Sequence, residues 1–280
     1  MTSDEAMRSA GSDTVGETDS LLIDTTVAHQ ARIYDYLLGG KDNFAADRAA
    51  VEAGLKIWPE MAIAARANRA YLGRVVRYLA GEVGIRQFLD LGTGIPTAGN
   101  THQVAQEIAP ESRIVYVDYD PVVLAHARAL LASSEAGTTD YIHADVRDTP
   151  AVLAPAADLL DLTRPVAVTM LTILHVIPDS DDPYGIVARV MDAVPSGSYL
   201  AISHMSSDLL DRDTQGGLVD TGKRMSQQQL SARSREQVAR FFAGMDLVEP
   251  GLVPVEEWRP EPGSTAPGKS ATWGAVGRKP

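Results

Sequence analysis

The sequence predicts an α/β fold: a mostly parallel, seven-stranded sheet with helices on both faces. Three observations predict it. The apolar run Phe88-Leu89-Asp90-Leu91 breaks at once into Gly92-Thr93-Gly94-Ile95-Pro96, and a helical segment from Thr97 to Ala109 follows. Strand, glycine turn and helix make the first half of a βαβ unit, in which glycine lets the backbone turn sharply against a ligand with no Cβ in the way. Short apolar strands then alternate with helical segments as far as Ser203, the pattern of parallel strands joined by crossovers. Finally, Pro165 to Leu171 is apolar on both faces, as a strand inside a parallel sheet must be.

Met1 to about Val27 is rich in Ser, Thr, Gly, Asp and Glu, the composition of a flexible acidic tail. Residues 28–280 read as one domain, with a helical lid at 28–65 and a core at 66–280. Ile33, Tyr34 and Leu37 have helical spacing, and Gly39-Gly40 ends that helix. The span from Ala31 to Arg48 packs aromatics and charges around this break. It reads either as a fixed cap or as a lid, with Tyr34, Lys41, Asn43 and Phe44 facing a ligand and the glycine pair as hinge. Asp47 to Trp58 and Pro59 to Ala80 read as helices, and Tyr71, Leu72, Val75, Val76 and Leu79 give the second a buried face. Asn68 and Arg69 beside that face read as solvated residues, with a place at the ligand mouth as the alternative.

The second strand, Ile114 to Asp118, ends in a carboxylate. Asp120-Pro121 opens a helix, Asp as N-cap and Pro in the first turn. Tyr141 to Asp145 is a third strand ending in an acid. Asp148-Thr149-Pro150 and Asp182-Pro183 open the helices on either side of the fourth strand, and Ser198 to Ser203 is the fifth. Residues 205–229 are polar with no clean period, an insertion placed to shape a substrate pocket. Ser234 to Gln237 is a capping box. Leu247 to Trp258 and Ala271 to Val276 read as two closing strands around a Pro/Gly-rich loop.

Composition narrows the function. Of 280 residues, 25 are basic and 37 acidic, a net charge of −12 that argues against a general nucleic-acid binder. The absence of cysteine removes disulfides, a thiol nucleophile and a thiolate zinc site, and no metal site is expected. No apolar run approaches the ~20 residues of a membrane span, and the start carries no secretory signal. These features fit a cytoplasmic protein with no nucleic-acid or membrane partner.

The strand-end Asp118 can reach the two hydroxyls of a ribose, so the pattern points to a nucleoside-containing ligand. A dinucleotide site wants G-x-G-x-x-G. Here the third glycine position is Thr97, preceded by Pro96, and that fingerprint fails.

Four motifs occur in order: Asp-Leu-Gly-Thr-Gly at Asp90 to Gly94, Tyr-Val-Asp-Tyr-Asp-Pro around Asp118, Ala-Asp-Val at Ala144 to Val146, and Leu-His-Val-Ile-Pro-Asp at Leu174 to Asp179. This combination resembles the class I, Rossmann-like S-adenosylmethionine-dependent methyltransferases from about Arg86 to Ser203. The segments Arg32 to Phe44 and Leu247 to Pro260 resemble a narrower bacterial family of S-adenosyl methyltransferases catalogued as a domain of unknown function. The resemblance implies S-adenosylmethionine as cofactor. It places Gly92, Thr93 and Gly94 against the methionine part, Asp118 on the ribose and Tyr119 beside the adenine. Asp145 would accept from the adenine amino group, the Val146 N–H would meet a ring nitrogen, and Leu171 and Thr172 would lie near the sulfonium. The family's third loop glycine is Pro96 here. Asp90 reads as a brace for the loop and Asp120 as an N-cap.

Methyl transfer needs alignment and water exclusion, and a base only where the nucleophile must lose a proton. His175 and His204, at the mouths of the fourth and fifth strands, are the candidate bases, with a structural role for each as the alternative. Three functions stay open: a methyltransferase acting on a small-molecule acceptor, a cofactor-binding regulator without turnover, and a nicotinamide-dependent oxidoreductase. Thr97 and the Asp145 motif weigh against the last.

Overall fold

The computed structural model describes residues 23–130, 136–226, 229–261, 263 and 268–280. All but the last five residues of the expected acidic tail lie outside them. The chain opens with three helices, α1 (Gln30–Leu37), α2 (Ala45–Ile57) and α3 (Met61–Arg77), the last running into a wider π-helical turn at Tyr78–Val83. Then come β1 (Gln87–Leu91), α4 (Thr101–Ile108), β2 (Arg113–Asp118), α5 (Pro121–Leu130), β3 (Thr138–His143), α6 (Thr149–Leu159) and β4 (Ala167–Leu171). After them follow α7 (Pro183–Asp192), β5 (Tyr199–Met205), α8 (Arg212–Met225), α9 (Arg235–Ala239), β6 (Asp246–Leu247), β7 (Val253–Pro254) and β8 (Thr272–Arg278).

The sheet order is β3-β2-β1-β4-β5-β8-β6, with β7 also on β8. Strands β1 to β5 are parallel, and β8 runs antiparallel to β5, β6 and β7. The expected strand from Leu247 to Trp258 is thus split in two. Leu247 faces Gly277 and Val253 faces Gly274, so six steps on this edge span three on β8. The surplus bulges out at Glu249 to Leu252. There Pro250 has no N–H to give a ladder, and Gly251 takes a φ of +84°.

Alternation along the strands divides the core. Leu89, Leu91, Val115, Val117, Val168 and Met170 pack on one face with α6, α7 and the Phe241–Phe242 turn. Phe88, Ile114, Tyr116 and Ala167 pack on the other against α3 and α4. Chain order reverses between β1 and β4, where two neighbouring parallel strands send their connections apart. Their C-terminal ends open a crevice there.

Helix α4 starts at Thr101, four residues later than the sequence suggests. Gly99 has φ +74°, and Asn100 and Gln103 form a capping box in which Gln103 Oε1 accepts from the Gly99 and Asn100 N–H groups. Thr97 belongs to the turn before it. Among the described residues no helix is long and apolar enough to cross a membrane.

Candidate functional site

A cavity lies at the C-terminal ends of β1, β2 and β4. Asp90, Gly92, Thr93 and Gly94 line it from β1 and its loop, Asp118 and Tyr119 from β2, and Leu171, Thr172, Ile173 and His175 from β4 and the turn beyond. Helix α1 covers it with Ile33, Tyr34 and Leu37, and α2, α3 and α8 complete the wall. From residues 205–229, Met205, Leu218, Thr221, Gly222, Met225 and Ser226 are in this wall, four of them on α8.

The loop after β1 is built for close approach. Gly92 has φ +74°, and a Cβ there would meet the Ile173 side chain at 2.7 Å. Its N–H and that of Thr93 both donate to the Val117 carbonyl, at 2.8 and 3.2 Å. Gly94 has φ +69° with open space where a Cβ would stand. Asp90 braces this loop: its two carboxylate oxygens accept from the Thr101 and Thr169 hydroxyls, each at 2.7 Å, while burial pushes its pKa up.

Asp118 Oδ2 accepts from the Gly94 N–H at 2.8 Å, and Oδ1 from the Asp120 N–H at 3.0 Å. Burial raises its pKa, and these two N–H groups oppose the rise. Each oxygen uses one lone pair on the backbone and keeps one. Tyr119 is exposed, with His29 set edge-on to its ring at 5.0 Å. Thr172, β-branched, is held at φ +55°; its N–H donates to the carbonyl and hydroxyl oxygens of Ser203, at 3.1 and 3.0 Å. A Thr in the left-handed region is a strained backbone, of the kind that collects at ligand sites.

Two residues read as solvated are in fact in the wall. Asn68 is 4% exposed. The Tyr34 hydroxyl donates to the Ala65 carbonyl at 3.0 Å, so the Asn68 Nδ2 group donates to Tyr34 at 2.9 Å. This chain of bonds fixes the amide's orientation. It leaves Asn68 Oδ1 buried with no partner among the described residues. Arg69 reaches over the loop, donating to Asn100 Oδ1 at 2.7 Å and to the Ala98 carbonyl at 3.1 Å. Helical spacing placed both on the rim of a packed face; the sheet-end crevice that receives them is a tertiary feature.

Six of the expected ligand-contact and catalytic residues stand outside the cavity wall: Lys41, Asn43, Phe44, Asp145, Val146 and His204. Lys41 is exposed. Asn43 is buried, but its Nδ2 donates to Asp35 Oδ2 at 2.8 Å and the Gly40 carbonyl at 3.1 Å. Phe44 packs beside Ala31, Ile95, Val122 and Val123, with Arg32 over its ring at 5.3 Å. The Gly39-Gly40 pair sits in a bonded turn: the Asp35 carbonyl accepts from Gly40 N–H at 2.8 Å, and Asp35 Oδ2 accepts from Asp42 N–H at 2.9 Å. Asp145 lies two residues beyond the end of β3, where Arg147 grips both its oxygens, at 2.6 Å to Oδ2 and 3.0 Å to Oδ1. Partial burial pushes Asp145 up, but the Arg147 bonds outweigh it and hold the carboxyl below its ordinary value. Its neighbour Val146 packs its side chain into the core.

His204 is also outside the wall and fully buried. Its Nδ1 donates to the Met205 carbonyl at 2.8 Å, and its Nε2 accepts from Arg233 Nη1 at 2.8 Å. Burial, with His175 and Arg233 close by, holds it neutral well below the ordinary pKa. Both nitrogens are used, so His204 is a strut. Arg233, 2% exposed, goes on to the Leu174 carbonyl at 2.8 Å, the Ile177 carbonyl at 2.9 Å and Asp179 Oδ1 at 2.6 Å. It pins the turn that carries His175. No local signal marks Arg233 in the sequence, because its partners lie on segments far from it.

His175 lines the cavity, and its Nδ1 is buried with no partner among the described residues. Burial lowers its pKa to about 4, and the Arg233 charge adds to the effect. The imidazole is therefore neutral at pH 7. In the unfolded chain it takes a proton near 6.5. Below pH 6.5 the unfolded state thus binds the extra proton, and the native state loses stability as pH falls toward 4. Relative to His175→Gln, wild type should lose up to ~1.4 kcal/mol per pH unit in that window. Urea unfolding at pH 7, 6 and 5 measures it, and parallel curves would mean that His175 is not held neutral.

The chain matches the family model described as S-adenosyl methyltransferase over residues 16–280. It is similar in structure to a DUF574 family protein from Streptomyces avermitilis MA-4680, with 45% identity, a TM-score of 0.89, and coverage of 92% of this chain and 100% of that one. It is also similar to a protein from Thermobifida fusca YX held to be a methyltransferase, with 39% identity, a TM-score of 0.83, and coverage of 91% and 96%. The plantazolicin methyltransferase BpumL, at 8% identity and a TM-score of 0.52 over 89% and 95% of the two chains, shares the fold alone. No curated protein matches the chain.

Proposed function

This chain belongs to the S-adenosyl methyltransferase family, with S-adenosylmethionine as its cofactor, and from that premise we propose that it methylates a small-molecule acceptor held in the cavity beneath α1. The observation that carries the proposal is the pairing of Asp118 with the Gly92–Gly94 loop. A carboxylate with a lone pair left on each oxygen stands beside a glycine with open space in front of it. Two vicinal ribose hydroxyls would each find an acceptor there. The orphaned Asn68 Oδ1 supports the same reading, since it needs a donor and the methionine part carries an ammonium group.

When bound, the cofactor supplies a methyl group on a sulfonium, reactive enough to need no metal or covalent help. The chain's own work is then alignment and exclusion of water. Gly92 and Gly94 admit the ligand's backbone-side contacts, Leu171 and the strained Thr172 form the mouth beside the reacting atoms, and Tyr34 roofs it. Asp145 would have to exchange Arg147 for the adenine amino group.

Calorimetry tests the reading: S-adenosylhomocysteine should bind and NAD should not. Asn68→Ala should weaken S-adenosylhomocysteine by about 1.5 kcal/mol, roughly tenfold, for one hydrogen bond to a charged group. We further propose that α1 acts as a lid. Hydrogen exchange should slow at Ile33 to Leu37 when S-adenosylhomocysteine binds, while Gly39 to Phe44, already bonded around Asp35, changes less. Equal protection of Ile33 to Leu37 in both states would sink the lid.

A further inference from the structure

Beyond the glycine loop, the cavity continues between α2, α3 and α8. Its wall there comes from Val51, Trp58, Met61, Leu218, Met225 and their neighbours. The charged groups of the cavity wall stand elsewhere: Asp90 and Asp118 at strand ends and Arg69 bonded across the loop. Among the described residues, the wall contributed by α2, by the first turns of α3 (Met61, Ala64, Ala65) and by α8 carries no Lys, Arg, Asp or Glu; Arg69 stands further along α3, at the glycine loop. Thr221 on α8 and Ser226 just after it are polar members of this wall; Asn68 stands further along α3, and His175, on the turn after β4, and Thr272, on β8, line the same cavity. The Ser226 hydroxyl is already donated to the Gly222 carbonyl at 2.8 Å, and that of Thr272 to the Ser270 carbonyl at 2.9 Å.

From this chamber we infer that the methyl acceptor is an uncharged, largely apolar molecule carrying a hydroxyl that hydrogen-bonds to His175 Nδ1. This rests on the methyltransferase reading above. A carboxylate, phosphate or ammonium group entering here would leave water without meeting an opposite charge, which is costly. A neutral imidazole cannot supply that charge. It can satisfy one hydroxyl, and a hydroxyl in turn satisfies a buried nitrogen that has no partner among the described residues. In the transfer the methyl carbon's bond to sulfur breaks and its bond to the acceptor oxygen forms, the sulfur keeping the electron pair. The hydroxyl proton passes to His175 Nδ1 and then to water. The products are a methyl ether, S-adenosylhomocysteine and a proton.

The test uses the full chain saturated with S-adenosylhomocysteine. Calorimetry compares 2-naphthol and 4-hexylphenol with 2-naphthoate and 4-hexylbenzoate at pH 7. Each phenol should bind at least tenfold more tightly than its carboxylate partner. In His175→Leu the advantage of 2-naphthol over naphthalene should shrink to within twofold, and Met225→Trp should weaken 2-naphthol tenfold with S-adenosylhomocysteine affinity within twofold of wild type. Either carboxylate binding as tightly as its phenol, or none of the four binding, overturns the inference while leaving the methyltransferase reading in place. Failure of S-adenosylhomocysteine itself to bind would overturn that underlying reading instead.

Discussion

Arg233→Ala should destabilise the protein by about 3–5 kcal/mol, the largest loss expected from any single side chain around the site. The guanidinium fills its donors inside the protein. Its Nη1 serves the Leu174 carbonyl and His204 Nε2, and its Nη2 serves the Ile177 carbonyl and Asp179. It also lies 5.8 Å from the centre of the Tyr184 ring and 5.6 Å from that of Phe241. Truncation leaves two carbonyls and an imidazole nitrogen without their donor, each costing roughly 1–3 kcal/mol where water cannot reach. Asp179, 71% exposed, returns to solvent and adds little. Arg233→Lys should recover part of the loss, because an ammonium can reach some of the acceptors but not all of them. Urea unfolding at pH 7 with an unchanged m-value measures the effect. A change under about 1 kcal/mol would show that the network is not a strut. Since the same residue pins the turn carrying His175, turnover should fall further than the folded fraction does.

Asp118→Ala should weaken S-adenosylhomocysteine by about 2–3 kcal/mol, roughly 30- to 150-fold. Two ribose hydroxyls lose a charged acceptor, and the Gly94 and Asp120 N–H groups lose theirs as well. The second loss loosens the loop that must receive the ligand. Stability should change less, because burial of this carboxylate is itself unfavourable at neutral pH, as its raised pKa records. Asp118→Asn, which keeps one acceptor oxygen, should fall between the two. An unchanged dissociation constant in a folded Asp118→Ala protein would remove the ribose assignment.

The segment from Arg32 to Phe44 shows where a pattern of residue types is ambiguous. Its aromatics and charges suggest ligand contacts, yet most are spent on their own corner. Asp35 gathers Asp42 and Asn43, and Arg32 donates to the Asp24 and Val27 carbonyls. A polar side chain's partner is a matter of distance, and helical spacing says only which face it leaves from. Tyr34 alone of the four expected contacts turns into the cavity wall. Asp145 teaches the same point. Its place at a strand end is readable, but the arginine two residues on, which claims both its oxygens, is equally readable as a solvated charge.

What the amino-acid sequence determined by itself is whatever is local. Apolar runs marked β1, β2 and β4 as strands buried on both faces, and proline, aspartate and serine marked the helix starts at Pro121, Thr149, Pro183 and Arg235. Glycine at 92 and 94 marked a sharp turn, which the structure builds with positive φ at both, and Asp118 was marked as the end of the second strand. The tertiary structure alone decided what depends on segments meeting from far apart. It brought Asn68 from α3 to the crevice, Arg233 to the turns after β4, and α8 over α2 to close the apolar chamber. Hydrogen bonds and burial act over a few ångströms in space, and only the packing of the whole sheet sets those distances.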